Sequence, residues 1–361
     1  MANWSMSDFF EGLDDVRSRR NQKPPFLSII SIGILSAIAG IDSFSGMGDF
    51  AEAHLEELSK IIELPNGAPS HDTIRRIFDL LDPESFHNCF MEFSRHLAAH
   101  NSNLIAIDGK RVCNGPENPL HLVSAWCAAN QMTLAQVKVH EKSNEITAIP
   151  ELLKLLDLTG TIVTIDAMGC QKEIAKAIIK QNADYVLSLK DNQKNLREAI
   201  EPYFNDLHLF DGYYWQEINK AHGRIEQREC YVLDQIDYVH QNHSWPGLKS
   251  AALVISKRTI KNITTTEHRY YISSLPPDAE LIARAARKHW EVENKLHWRL
   301  DVIFNEDKAC IRNENAAENM TLLRKWALNL LSQHKGKSSI KSLQRKASMS
   351  FKFLLTSAQL S

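Results

Sequence analysis

The sequence predicts an α/β protein, a mixed sheet with helices on its faces, preceded by an all-helical region. Three observations carry this. Apolar residues recur at helical spacing through residues 1–100. Short apolar runs that end in Asp then alternate with amphipathic stretches. The order of those elements past residue 101 reads β-β-β-α-β-α-β, an antiparallel half followed by parallel units.

In the first region, FLSIISIGILSAIAGI (26–41) is 16 residues with three serines. It is shorter than the roughly 20 residues a bilayer requires, and four acidic residues precede it, so a buried helix is expected rather than a span or a signal peptide. In PSHDTIRRIFDLL, Ser70 is a candidate N-cap, and Ile74, Ile77, Phe78 and Leu81 form one stripe with Arg75 and Arg76 off it. Pro83 opens the next helix. The pair joined at Leu81-Asp82-Pro83 is either a DNA-reading helix-turn-helix or plain scaffolding.

Leu104–Ile107 is an apolar run ending at Asp108-Gly109, as a buried strand does. LHLVSAWCA and MTLAQVKVHE follow as two strands around Ala129-Asn130-Gln131. After the helical ITAIPELLKLLDL, residues 161–165 form a strand ending at Asp166. The helix QKEIAKAIIKQN then leads to a strand at 185–189. Residues 191–275 read as a β-rich insertion containing ECYVLD, SAALVIS and HRYYISS. From Pro277 the chain is helical again through ARAARKHWEVENKLHWRL.

Composition narrows the function classes. With 42 Lys and Arg against 44 Asp and Glu the chain is nearly neutral, yet the stretch from Arg284 onward carries 15 basic and 7 acidic residues. No acidic residue follows Glu318, so residues 331–361 are expected to be a basic C-terminal tail, suited to a polyanion or merely solvated. Six cysteines without a CxxC pair argue against a zinc ribbon or a disulfide framework and fit a cytoplasmic protein.

Two acidic residues stand out by position. Asp108 and Asp166 both close apolar strands, where open sheets place ligands. Asp166 could instead be the N-cap of a helix over Ala167–Gln171. Glu293 supplies a third carboxylate. In one straight helix over residues 285–300, His289, Glu293 and His297 share a face at i, i+4 and i+8, with Arg299 beside it. Zinc on that stripe is disfavoured, because the outer two residues would stand on the order of 12 Å apart while zinc bonds are near 2 Å. Carboxylates from two strand ends and a facing helix could instead hold a pair of Mg²⁺ ions that serve an in-line displacement at phosphorus. Lys190, His222, Arg224, Arg228 and Arg299 are candidate phosphate contacts.

This order of elements, with AIDGKRV (106–112), EKSNEITAIPELL (141–153), TIVTIDAMGCQKEIA (161–175), LSLKDNQ (187–193), HGRIEQR (222–228), RYYISS (269–274) and RKHWEVENKLHWRLDVIFNEDKACIRNENAAENM (287–320), resembles the ribonuclease-H-like core of DDE transposases. It is similar to the H-repeat-associated branch of the bacterial insertion-sequence enzymes, and the N-terminal helices resemble that family's associated domain. The resemblance implies a catalytic domain over 101–330 with Asp108, Asp166 and Glu293 as catalytic metal ligands. It also implies Mg²⁺ as cofactor with Mn²⁺ able to substitute, and double-stranded DNA (terminal repeats and target) as partner of a homodimer on paired ends. Related transposases carry Tyr, Arg, Glu and Lys where this chain has Ala286, His289, Glu293 and Arg299, so only the Glu and the last basic residue agree. His289 would stand in for the Arg as a DNA contact. A nuclease with the same site and a non-catalytic DNA-binding remnant are the alternative readings.

Overall fold

The computed structural model describes residues 6–10, 12–17, 23–98, 103–112, 120–140, 143–221 and 223–359. Its centre is a nine-stranded mixed sheet in the order β3-β2-β1-β4-β5-β9-β8-β7-β6. Strands β1 (Leu104–Val112), β2 (Leu120–Cys127) and β3 (Met132–Lys138) form the antiparallel half, and β4 (Ile162–Ile165) and β5 (Asp184–Leu189) run parallel to β1. Helices α6 (Glu145–Lys154) and α7 (Lys172–Lys180) make the crossovers. The predicted β-β-β-α-β-α-β order is therefore present. The central runs are apolar on both sides because both sheet faces are covered.

The predicted insertion continues this sheet. After α8 (Lys194–Ile200) come β6 (Tyr213–Ala221), β7 (Arg224–Leu233), the short α9 (Asp237–Asn242), β8 (Ser250–Ile260) and β9 (Ile263–Ser273). Strand β9 pairs antiparallel with β5 and joins the four new strands to the core.

At the N-terminal end, α1 (Phe26–Ile38), α2 (Phe44–Ala53), α3 (Leu55–Leu58), α4 (His71–Leu80) and α5 (Pro83–Leu97) form the helical layer. Ser70 caps α4 by accepting from the Thr73 N–H, and Asp82 caps α5 by accepting from the Ser85 N–H. Helix α1 is buried almost throughout, as its apolar composition requires.

Past β9 the chain forms α10 (Ala279–His289), a π turn (Glu293–His297), α11 (Trp298–Val302), α12 (Glu314–Ser332), α13 (Ile340–Met349) and α14 (Phe351–Ser357). Among the described residues no helix is long and apolar enough to cross a membrane.

Three expectations need correction here. The strand predicted to stop at Asp108 runs on to Val112, because β2 continues to pair with it after β4 has ended. The helix predicted over 285–300 is not straight but contains a π turn. Residues 331–361 are no solvated tail: α13 and α14 bury Ile340, Leu343, Ala347 and Leu354 in the core of the helical layer. Only the outer faces of these helices, with Lys341, Arg345, Lys346 and Lys352, are exposed. Arg324 and Lys325, counted with the basic segment, are buried in α12. That helix joins the N-terminal layer to the sheet. Trp326 is enclosed by Phe10, Phe86, Phe90 and Phe93, while Asn329 bonds to the Thr133 backbone of β3.

Candidate active site

The register of the parallel strands brings the first two carboxylates together. The last β1–β4 partners are Ile107 and Ile165, so Asp108 and Asp166 are the next residues on adjacent strands. Side chains in matching register on parallel strands project from the same face, and neighbouring strands lie about 4.8 Å apart. On that face Thr164 precedes Asp166 and Ala106 precedes Asp108. Strand β5 adds Val186 and Ser188, and Lys190 follows in the same alternation.

Helix α10 packs across this face, burying Ile282, Ala283, Ala285 and Ala286 against Val186 and Tyr271. It delivers His289 to the strand ends, where His289 Nδ1 lies 3.2 Å from Thr164 Oγ1. Beyond it Glu293, although exposed, lines the same cleft as Asp108, Asp166, Thr164, Lys190 and His289. Burial pushes the His289 imidazole below its ordinary pKa, while the charges of Asp108, Asp166 and Glu293 pull it up. One side chain thus feels all three carboxylates, as expected if they surround it.

Each carboxylate is held differently. Asp108 Oδ1 accepts from the Gly109 N–H at 3.0 Å, and Oδ2 lies 3.1 Å from His297 Nε2. Asp166 Oδ1 accepts from the Gly169 N–H at 3.2 Å and so closes a turn, not the helix expected over 167–171, and uses one oxygen only. The Glu293 carboxylate makes no hydrogen bond or ion pair with any described residue. Among the described residues no three His, Cys, Asp or Glu side chains stand together as a ready-made metal cage. A hard cation that keeps its waters does not need one: Mg²⁺ is usually held by one or two carboxylates together with substrate phosphate.

The other predicted site residues divide. Lys190 lines the cleft and is exposed. Arg224 and Arg228 are not among its lining residues: both pair with Glu226, at 2.9 and 2.7 Å, because the β6–β7 hairpin supplies its own acids. His222 lies outside the described residues. Arg299, on α11, is half-buried and likewise absent from the lining, and desolvation lowers its pKa. The cation at the cleft that sequence reasoning missed is Arg269. It stacks on Trp290 with its guanidinium carbon 3.9 Å from the ring centroid and pairs with Glu267 at 2.6 Å. The β5–β9 register pairs Leu189 with Tyr270 and so sets Lys190 opposite Arg269. Strand alternation in RYYISS was the available signal, since it puts Arg269 and Tyr271 on one face. Thr164 gave none that spacing could decode, and the i, i+4, i+8 spacing that set His297 beside Glu293 did not point to Asp108 as its partner.

Two carboxylates side by side on adjoining strands, a third on the helix above them and basic residues at the rim suit chemistry at a phosphodiester. Comparison with known families agrees, as residues 102–330 match the family model described as "Transposase DDE domain". The chain belongs to the DDE transposases. Residues 7–94 match the model described as "DDE_Tnp_1-associated". Similar proteins from Escherichia coli strain K12 include YbfL, 40% identical over 360 residues, covering 95% of this chain and 94% of YbfL. Another is the H repeat-associated putative transposase YhhI, 39% identical over 358 residues with the same shares. Among solved structures, a piggyBac transposase synaptic complex with hairpin DNA overlaps 99% of this chain and 77% of its own, at 13% identity and a TM-score of 0.44. As a DDE transposase, the chain is a DNA-acting, phosphodiester-transferring enzyme with a ribonuclease-H-like mixed sheet.

Proposed function

We propose that this transposase cuts DNA at the ends of an insertion-sequence-like element and joins the freed 3′-hydroxyls to target DNA, with Asp108, Asp166 and Glu293 as its catalytic carboxylates. The observation that carries the reading is that these three, Asp108 within β1, Asp166 just past the end of the adjacent parallel β4 and Glu293 on the helix facing them, line a single cleft. All are hard oxygen donors, the class Mg²⁺ selects, and Mn²⁺ takes the same ligands. Such ions, when bound, make a water or 3′-hydroxyl nucleophilic and stabilise the leaving oxygen of an in-line displacement.

The remaining residues bind and orient. Lys190 and Arg269 at the rim would receive the phosphate backbone, Arg269 held flat by Trp290. His289 is wedged between Thr164 and the carboxylates, where burial favours its neutral form and suits it to spacing the cleft rather than neutralising phosphate. The exposed cations of α13 and α14 would add salt-dependent, sequence-independent affinity. Pairing two element ends calls for two copies of the chain.

The test incubates the protein, Mg²⁺ and labelled DNA carrying the element's terminal repeats. Nicked and joined products are expected, and each of Asp108→Asn, Asp166→Asn and Glu293→Gln should abolish cleavage while largely sparing DNA binding. Nicking without joining would make the protein a nuclease, and a gel shift without cleavage a non-catalytic remnant. Cleavage that survives one of these substitutions removes that residue from the site.

A further inference from the structure

We infer that His297 is a positioning residue for Asp108, holding one of its carboxylate oxygens so that the group is presented to a divalent cation. The inference rests on the reading of Asp108 as a metal ligand, and it explains the π turn in the helix that bears Glu293.

The turn is defined by the Trp298 N–H, which bonds to the carbonyl of Glu293, five residues back. One residue more than an α-turn is thereby accommodated, a feature that recurs at functional sites. Its consequence is a division of labour within six residues. Val292 and Leu296 are fully buried in the core of the helical layer and fix the segment. Glu293 faces the cleft, whereas His297 is 7% exposed and turns to β1. There His297 Nε2 lies 3.1 Å from Asp108 Oδ2. One short helical segment thus supplies a carboxylate of the cleft and the clamp on another.

The other ring nitrogen shows which form of the ring fits. Nδ1 is buried and has no hydrogen-bond partner among the described residues. A proton there would be a buried donor without an acceptor, which is costly, whereas a bare lone pair costs less. Nε2 is therefore the ring nitrogen placed to donate, and its partner is Asp108 Oδ2. With the Gly109 N–H on Oδ1 and His297 on Oδ2, each oxygen is fixed by one bond and keeps lone-pair capacity for a cation. Partners of this kind are typically worth 10- to 100-fold in metal affinity.

The test titrates the DNA-free full-length protein with Mn²⁺ and reads the free ion by electron paramagnetic resonance, with a thermal melt of each variant. His297→Leu, similar in bulk but without a donor, should weaken Mn²⁺ binding by about tenfold or more and shift the Mn²⁺ dependence of DNA cleavage by the same factor. Cleavage at saturating Mn²⁺ should return to within a few-fold of wild type. His297→Gln, which restores an N–H donor, should stay close to wild type in affinity. Should Leu at this position unfold the chain, His297→Asn replaces it, since its shorter amide falls short of Oδ2. Asp108→Asn serves as the control for the underlying reading. Loss of Mn²⁺ binding in Asp108→Asn with unchanged affinity in the donor-free variant overturns the role of His297 alone. Unchanged affinity in Asp108→Asn as well overturns both.

Discussion

Replacing Lys110 by Met should destabilise the protein by about 3 kcal/mol, at the low end of the cost of breaking a buried ion pair. Lys110 lies two residues beyond Asp108 on the same face of β1. Its ammonium contacts Asp301 and lies 2.8 Å from Glu306 Oε2 and 3.9 Å from Asp307. The Lys110 side chain is 12% exposed, and that of Glu306 only 1%. Without the lysine, Asp301 can recover water, but Glu306 stays buried as a carboxylate with no direct partner. Removing one member of a buried pair costs about 3–5 kcal/mol, and the nearby charges of Arg324 and Lys325 place this case at the lower end. Replacing both partners in Lys110→Met/Glu306→Leu removes the stranded charge and should recover about 2 kcal/mol of the loss. Equilibrium urea unfolding followed by circular dichroism and tryptophan fluorescence measures Lys110→Met, Glu306→Leu and the double variant. A loss below about 1 kcal/mol in Lys110→Met, or a double variant as unstable as the sum of the singles, would refute the reasoning.

Further outcomes follow from single contacts. Trp326→Ala empties a fully buried indole from among four phenylalanines and should cost about 3–5 kcal/mol, with protease cutting appearing in the N-terminal helices and α12 together. Gly169→Ala would set a methyl 2.2 Å from Ile165 Cγ2, a core atom, while the Gly169 N–H holds Asp166. A stability loss of about 1–3 kcal/mol and slower DNA cleavage are expected, and a silent substitution would argue against a fixed turn there. Burial pushes the Lys325 ammonium down to about 8 from its usual 10.5, so between those values the unfolded chain binds the extra proton and stability rises with pH. Compared with Lys325→Met, the wild type should therefore gain stability as pH is raised from 8 to 10. A difference flat in pH would show that the lysine is not desolvated.

The part of the site that lies on regular elements was legible in the sequence. Apolar strands ending in Asp announced Asp108 and Asp166, because a strand buried on both faces leaves few other places for a carboxylate. The serine cap of α4 and the buried α1 were equally readable from composition and spacing. Tertiary pairing was not. Nothing local indicates that β2 carries β1 past Asp108, or that β9 returns beside β5 and sets Arg269 opposite Lys190. The π turn escaped for a related reason: a period of 3.6 was assumed throughout, and no residue within 293–297 marks the extra one. The basic C-terminal segment misled because its charges are exposed while Ile340, Leu343 and Leu354, spaced between them, form the inner face.

The convergence of three distant carboxylates is tested most directly by loading the protein with Fe²⁺ and mapping the chain cuts made by the hydroxyl radicals that the bound iron generates from added hydrogen peroxide, with ascorbate to return Fe³⁺ to Fe²⁺. Cuts clustered around residues 108, 166 and 293 at once, suppressed by excess Mg²⁺ and absent in Asp108→Asn, are the predicted result. Cuts near only one or two of these positions, or a pattern indifferent to Mg²⁺, would contradict a shared metal-binding cleft.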